Sequence, residues 1–405
     1  MAATIQETWH ANRSCRNDRP FRRSILRASS RGQGEVRIVI GFEPLKGIRV
    51  LDFTHVIAGP LATFYLSRLG AEVVKVENRG GGDVMRRGKG LAAFVALNAG
   101  KHCLSLDLND PADREQAMAL AREADVLVDS LRPGVLERHG FGDAELRAAN
   151  PGLVYCSISG WGREGEWQDR PAYDHVIQAA TGMMLMGGNE GEPPVKTGFP
   201  VIDAGTGIIA ALAVIAALRE RDASGRGRFL DVSMTGAAMQ LMYPFACHAL
   251  TEGVTPPRVG NQGYSGSPAA DLFEVRDGWV ALGANTPRQL IALLNVLGRE
   301  DIAHNGDYFE QALDARAPAE FLRSRNPSAL RAALAAAIAT WQAAELEDAC
   351  AAAGVSCAKV RTIAEFAAQA RSTGALDPMR LLDLGCAVES PGLGFRTRSS
   401  FPDGV

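Results

Sequence analysis

Asp203 stands in the run Phe199-Pro200-Val201-Ile202-Asp203-Ala204-Gly205-Thr206-Gly207, just ahead of a stretch, Gly207–Leu218, made almost wholly of Ile, Ala, Leu and Val. Such a stretch reads as a helix buried on most sides. A carboxylate at a helix N-terminus meets the positive end of the dipole and free N–H donors, which favours its ionised form. Gly205 and Gly207 let backbone or ligand come close. An ionised carboxylate so placed can attack a bound electrophile. The same residue type is also an ordinary helix cap, and the local sequence leaves both roles open.

Other groups suited to chemistry fall in turns. Asp52-Phe53-Thr54-His55-Val56-Ile57-Ala58-Gly59-Pro60 follows a short apolar strand and carries His55, either a polar site group or a structural histidine. It lacks G-x-G-x-x-G, so a dinucleotide fingerprint is missing, and Glu77 at the end of the next strand is only a weak echo of a ribose-binding acid. Glu77-Asn78-Arg79-Gly80-Gly81-Gly82-Asp83, with Arg86 and Arg87 beyond, joins a glycine run to cations. That composition suits a loop around a phosphorylated ligand, or a solvated loop. Leu131-Arg132-Pro133-Gly134 with Arg138 is a similar cationic turn. Tyr173-Asp174-His175 reads either as a proton-handling cluster or as a packed tyrosine beside an aspartate capping a helix over 176–186.

The elements that must position these groups alternate. Strands are expected at 48–52, 72–77, 104–108, 125–129 and 152–159, and helices after Gly59-Pro60 and Asp110-Pro111. Near-continuous apolar strands separated by helices imply a parallel sheet covered on both faces, a doubly wound, Rossmann-like domain. A helix from 207 to 221, a strand at 229–233 and a helix at 237–249 follow. A hairpin about Asp277-Gly278 and an Ala-rich helical stretch then read as a smaller domain. The expected division is a leader over 1–42, a large domain over 43–222, a small domain with linkers over 223–340, and a return segment over 341–405, possibly truncated.

A formal charge of −3 leaves no cationic excess for non-specific nucleic-acid binding. No run reads as long enough to span a membrane, the 207–218 stretch being too short. Seven scattered cysteines without a C-x-x-C pair point to a reduced, cytoplasmic protein rather than a disulfide or zinc framework. The first 42 residues hold eight Arg, no Lys and three acids. That composition fits a disordered tail, a start assigned too early, or a mitochondrial transit peptide.

In order along the chain, Leu51-Asp52-Phe53-Thr54-His55-Val56, Gly59-Pro60, Leu69-Gly70-Ala71-Glu72-Val73-Val74-Lys75-Val76-Glu77, Leu104-Ser105-Leu106-Asp107-Leu108, Arg132-Pro133-Gly134, Tyr173-Asp174, Asp203 with Gly205, and Ser224-Gly225-Arg226-Gly227 resemble the class III CoA-transferases of the formyl-CoA and carnitine CoA-transferase type. The resemblance covers about 44–285 well and 286–375 loosely. It implies a Rossmann-like large domain, a smaller α+β domain and an interlocked-ring homodimer. It implies transfer of CoA from an acyl-CoA to a free carboxylic acid through aspartyl anhydride and aspartyl-CoA thioester intermediates on Asp203, with backbone N–H groups near 204–207 as oxyanion donors. No permanently bound cofactor or metal is implied; the CoA thioester is substrate.

By position, Val56, Asn78, Arg79, Leu106, Asn109, Ser130, Leu131 and Arg138 match CoA-contacting places, and His55, Ile57, Tyr173, Asp174 and Gly205 match neighbours of the reacting carboxylate. Ile57 stands where formyl-CoA transferases carry a glutamine, and Gly260-Asn261-Gln262-Gly263-Tyr264 replaces their glycine-run loop. The racemase branch of the family matches Asp203 but has a histidine where this chain has Tyr173, a poor base near neutral pH. The segment 378–394 follows the family pattern poorly. An α-methylacyl-CoA racemase and a degenerate, non-catalytic CoA-binding protein are the alternatives.

Overall fold

The computed structural model describes residues 42–316 and 320–397. The Arg-rich leader and residues 398–405 lie outside the described residues. Two compact units divide the chain. One holds residues up to 184, 196–255 and from 376 on; the other holds 185–195 and 256–375.

The first unit is built on a six-stranded sheet: β1 (Arg49–Phe53), β2 (Glu72–Asn78), β3 (His102–Leu106), β4 (Val126–Asp129), β5 (Val154–Ser159) and β6 (Phe229–Ser233). Strand order is β3-β2-β1-β4-β5-β6, and every pairing is parallel. This is the doubly wound arrangement expected, and its order reverses between β1 and β4. Around the sheet run α1 (Ala58–Arg68), α2 (Leu91–Asn98), α3 (Pro111–Glu123), α4 (Asp143–Ala149), α5 (Asp174–Ala180), α6 (Val201–Ser224), α7 (Met234–Leu241) and α8 (Tyr243–Glu252). One apolar layer joins Val50, Val126 and Val154 of the sheet to Ala62 and Leu66 of α1 and Ala210, Val214 and Leu218 of α6. The other face buries Leu51, Leu127 and Tyr155 with Leu120 of α3 and Phe141.

Three expectations change here. β6 pairs with β5 from Tyr155↔Phe229 to Ser159↔Ser233, so the large unit continues past residue 222 to Thr255. Its sixth strand supplies the edge that the boundary at 222 would have removed. The return to the large unit begins at Leu376, not at 341. A hairpin of β10 (Met379–Asp383) and β11 (Cys386–Ser390) buries Met379 and Leu381 against Phe64 and Val95, so part of the return segment does cover apolar surface. Finally, α6 begins six residues earlier than its apolar run suggests. At 24 residues it is long and apolar enough to cross a membrane by length and composition. Half of its most apolar window is buried, and Ile208 and Leu212 are exposed, so the helix is not buried on most sides as its composition suggests.

The second unit pairs β7 (Leu272–Val275), β8 (Gly278–Leu282) and β9 (Cys357–Lys359) in an antiparallel sheet. Helices α9 (Pro287–Leu297), α10 (Pro327–Ile338), α11 (Ala343–Ala352) and α12 (Ile363–Thr373) belong to it. Its core packs Phe273, Val280, Leu290, Leu294, Leu334 and Leu346. The mixed α+β character matches expectation. Its extent, with 341–375 included, does not.

Candidate active site

In a doubly wound sheet, ligands enter at the carboxyl ends of the strands where the order reverses. Here that point lies between Phe53 and Asp129, which are paired in register. His55, two residues past β1, donates its backbone N–H to Ser130 Oγ at 3.1 Å, and that hydroxyl lies 3.3 Å from His55 Nδ1. The two walls of the crevice are therefore tied together by two predicted site residues. Protein packed against one side of the imidazole lowers the His55 pKa against the upward pull of Asp83, which favours the neutral ring.

A buried polar network holds the β1–α1 turn. Asp52 Oδ1 accepts from the Thr54 N–H and hydroxyl, and Oδ2 accepts from Thr63 Oγ1 at 2.6 Å and Lys101 Nζ at 3.3 Å. Lys101 also donates to the Pro60 carbonyl, Thr63 and Asn98. Lys75 donates to the Thr54 carbonyl at 2.5 Å and faces Asp83 at 3.7 Å. Burial alone would raise the Asp52 pKa, but Lys75, Lys101 and the threonine hydroxyls outweigh it and hold it low. Burial brings Lys101 down to about 8 against the pull of Asp52. Val56, at φ 66°, adopts a left-handed conformation rare for a β-branched residue, and its N–H is taken by Asp83 at 3.1 Å. Gly59 passes so close to Thr54 that a Cβ there would overlap its side chain. None of this network was legible beforehand. Its one available signal was Lys75, a charge inside an apolar strand.

The other expected contacts fall along the same sheet edge. Asn78 ends β2 and caps the Gly80 N–H at 2.8 Å. The Arg79 N–H bonds the carbonyl of Leu106, which is buried at the end of β3, while its guanidinium pairs with Asp113 at 2.5 Å. Asn109 folds onto Asp107, and the Leu131 N–H is held by Asp129 at 2.7 Å. Arg138 is exposed. Glu77 clamps Arg86 through two 2.6 Å bonds and accepts the Asp83 N–H. It therefore fixes the glycine loop and is not free to bind a ribose.

Asp203 differs from expectation in placement. α6 starts at Val201 with Pro200 as its cap residue, so Asp203 lies inside the first turn and is not the cap. The helix runs back from the carboxyl edge to reach β6, parallel to β5, which puts Asp203 on the edge that holds His55 and Ser130. Gly207, one turn further along the same face, packs so closely that a methyl there would come within 2.7 Å of the Ala58 carbonyl oxygen. Gly205 is buried against Leu241 in the same way. Ile57 precedes the first residue of α1.

The capping groups come from elsewhere. Asp174 Oδ2 accepts the N–H of Ile202 at 2.7 Å and of Asp203 at 3.0 Å. Asp174 therefore caps α6 and not its own helix, whose cap residue is Tyr173. The Ala204 N–H bonds the Pro200 carbonyl, and those of 205–207 lie within the helical ladder. The expected oxyanion donors at 204–207 are thus already used by the helix. Tyr173 and His175 are both exposed and stack at 6.2 Å between centroids, away from the Asp174 bonds, so the three residues do not form one cluster. Burial, then Asp174, raise the Asp203 pKa to about 6. Most of the side chain is therefore ionised at pH 7, and it is a stronger base than an ordinary aspartate. The dipole alone would have suggested the opposite shift.

The sequence matches the profile of CoA-transferase family III over residues 45–399. The chain belongs to CoA-transferase family III. It is accordingly an enzyme of the class III CoA-transferase type. Among its relatives, the acetyl-CoA:oxalate CoA-transferase of Acetobacter aceti is 34% identical over 331 residues, 80% of this chain and 82% of that protein. The succinyl-CoA:mesaconate CoA-transferase of Haloarcula hispanica is 36% identical over 277 residues, 64% of this chain and 68% of that one. The crystal structure of a CAIB/BAIF family protein from Brucella suis aligns with a TM-score of 0.73 at 29% identity, covering 89% of this chain and 93% of that one.

Proposed function

We propose that this family member transfers coenzyme A from an acyl-CoA to a free carboxylic acid, with Asp203 carrying the acyl group and then the CoA. The observation that supports it most is the Asp203 carboxylate itself. It is desolvated, raised to about 6 and set at the ligand-binding edge of the sheet. The acids named for the relatives, oxalate and mesaconate, belong to those proteins; for this chain the expected acceptors are small carboxylic acids of similar chemistry.

An Asp203 oxygen attacks the thioester carbonyl, the C–S bond breaks, and CoA leaves as thiolate, giving a mixed anhydride. The thiolate attacks the Asp203 carbonyl and the donor acid departs as carboxylate, leaving an aspartyl-CoA thioester. The acceptor carboxylate then attacks that carbonyl and releases the thiolate. The thiolate takes the acceptor acyl group and frees Asp203. No net proton moves, and each bond broken is matched by one of similar energy.

CoA is placed along the carboxyl edge by Val56, Asn78, Arg79, Leu106, Asn109, Ser130, Leu131 and Arg138, with His55, Ile57 and Gly205 shaping the reacting end. A homodimer in the cytoplasm completes the reading, with mitochondrial import as the alternative if the leader acts as a transit peptide.

Asp203→Ala tests the proposal: transfer should vanish while CoA still binds, and full turnover would refute it. A racemase would instead exchange the substrate α-hydrogen with solvent. Incubation in deuterium oxide should give transfer without α-deuterium, and deuterium incorporation without transfer would favour the racemase. Binding of CoA with neither activity would leave a degenerate CoA-binding protein.

A further inference from the structure

Asp174 opens α5 but its carboxylate serves α6. Oδ2 takes the N–H groups of Ile202 and Asp203, and Oδ1 accepts Gln178 Nε2 at 2.5 Å. Gln178 is 1% exposed. Its Nε2 also donates to Thr197 Oγ1 at 2.9 Å, and its Oε1 accepts the Thr197 N–H at 2.9 Å. The Thr197 hydroxyl donates onward to the Phe199 carbonyl at 2.7 Å. One continuous bracket thus joins α5, the segment 197–200 and the first turn of α6.

The bracket has two consequences for Asp203. It fixes the backbone from which the carboxylate projects. It also occupies two N–H groups of the helix start that would otherwise solvate and stabilise an anion there. We propose that Asp174 is a positioning residue for transfer: it holds the first turn of α6 and withholds that turn's donors from Asp203, keeping the neighbouring carboxylate poorly solvated and reactive. This rests on the reading of Asp203 as nucleophile. Repulsion between the two carboxylates exists only while Asp203 is free. It disappears when Asp203 becomes an anhydride or thioester, so the arrangement raises the starting state relative to each acylated state.

The charged surroundings single out Asp174. Of the elements beside α6, α5 brings Asp174 and His175, and α7 brings no ionisable side chain. Tyr65 and Arg68 lie toward the far end of α1, and His55 lies in the turn before it. Tyr155, Cys156 and Asp231 are on β5 and β6. Among the described residues, Asp174 is the charge that raises the Asp203 pKa.

The test is the pH profile of kcat for Asp174→Asn, Asp174→Ala and Thr197→Val, with folding followed by circular dichroism. Asn keeps an acceptor for the two N–H groups but removes the charge. Its acid limb should move down by about half to one pH unit and its kcat at pH 8 should fall roughly tenfold. Ala also loses the cap, and kcat should fall about a hundredfold with KM for acyl-CoA little changed. Thr197→Val removes the two hydroxyl links of the bracket and keeps the backbone one without changing charge, so kcat should fall while the acid limb stays in place. An Asp174→Asn profile superimposed on wild type overturns the proposal, as does a lowered Tm with an unmoved acid limb. Should Asp174→Asn fail to fold, an unchanged kcat in Thr197→Val overturns it. Asp203→Asn separates the two readings. Turnover by that variant removes the nucleophile itself, whereas an inactive Asp203→Asn beside an unmoved Asp174→Asn profile removes only the positioning role.

Discussion

The Asp174 carboxylate accepts the backbone N–H of Asp203 at 3.0 Å, so the two acids meet through main chain and not through a shared proton. One carboxylate is spent on structure and the other is the nucleophile proposed above. Desolvation and this neighbour leave Asp203 with a pKa of about 6. The proposed transfer needs its ionised form, so kcat should be maximal near pH 8 and fall about tenfold by pH 5. Initial rates at saturating acyl-CoA between pH 4.5 and 8.5 check this; a flat profile down to pH 4.5 would contradict it.

The same shift acts on stability with a definite sign. The folded pKa lies above the unfolded one, so the native state binds the extra proton and loses stability as pH rises from about 4 to 6. Removing the charge should relieve this. Asp203→Asn is expected to raise Tm by about 2–4 °C at pH 8 and to leave it unchanged at pH 4. Scanning calorimetry at the two pH values decides it, and a lower Tm at pH 8 would count against the account.

Lys101 should be among the residues least able to be lost from the first unit. Its ammonium is fully buried against Asp52, Thr63, Asn98 and the Pro60 carbonyl. Lys101→Ala removes the buried cation paired with Asp52, leaving that carboxylate only its threonine donors and Lys75, and should cost about 3–5 kcal/mol, with loss of CoA binding as the β1–α1 turn loosens. Urea unfolding measures the first and calorimetric titration with CoA the second.

Gly207 tests how closely α6 must approach α1. Gly207→Ala puts a methyl within 2.7 Å of the Ala58 carbonyl oxygen. The helices must then part, at about 1–3 kcal/mol. Because Asp203 rides on the same face, kcat should drop at least tenfold. Wild-type kcat in a stable Gly207→Ala protein would show that this contact does not set the site.

Arg138 is proposed to bind CoA and to take no part in the chemistry. Arg138→Ala should raise KM for acyl-CoA several-fold while kcat stays within about twofold, the pattern of binding lost equally from ground and transition states. A fall in kcat at constant KM would move Arg138 from binding to chemistry.

Much of this was readable from sequence, for a physical reason. Parallel strands buried on both faces are written as near-continuous apolar runs, and β1, β2, β4 and β5 were found within a few residues on that basis. β6 was found as a strand but assigned to the wrong unit, because pairing with β5 over some seventy residues leaves no local trace. α6 starts six residues ahead of the apolar run that marks it in the sequence. Its capping group, Asp174, comes from a separate helix, and tertiary capping has no sequence spacing. Asp203 stands out in the sequence because a carboxylate beside glycines and an apolar run is conspicuous. Gln178 and Thr197, which complete the bracket, were missed because each looks like an ordinary polar residue until the fold brings them together.

The most direct test of the account is to trap the covalent intermediate. Purified protein would be incubated with acyl-CoA and hydroxylamine, digested, and mapped by mass spectrometry. A hydroxamate on the peptide containing Asp203, dependent on acyl-CoA and lost in Asp203→Ala, is the predicted result. Complete transfer with an unmodified Asp203 peptide, or the adduct on another carboxylate, would contradict it.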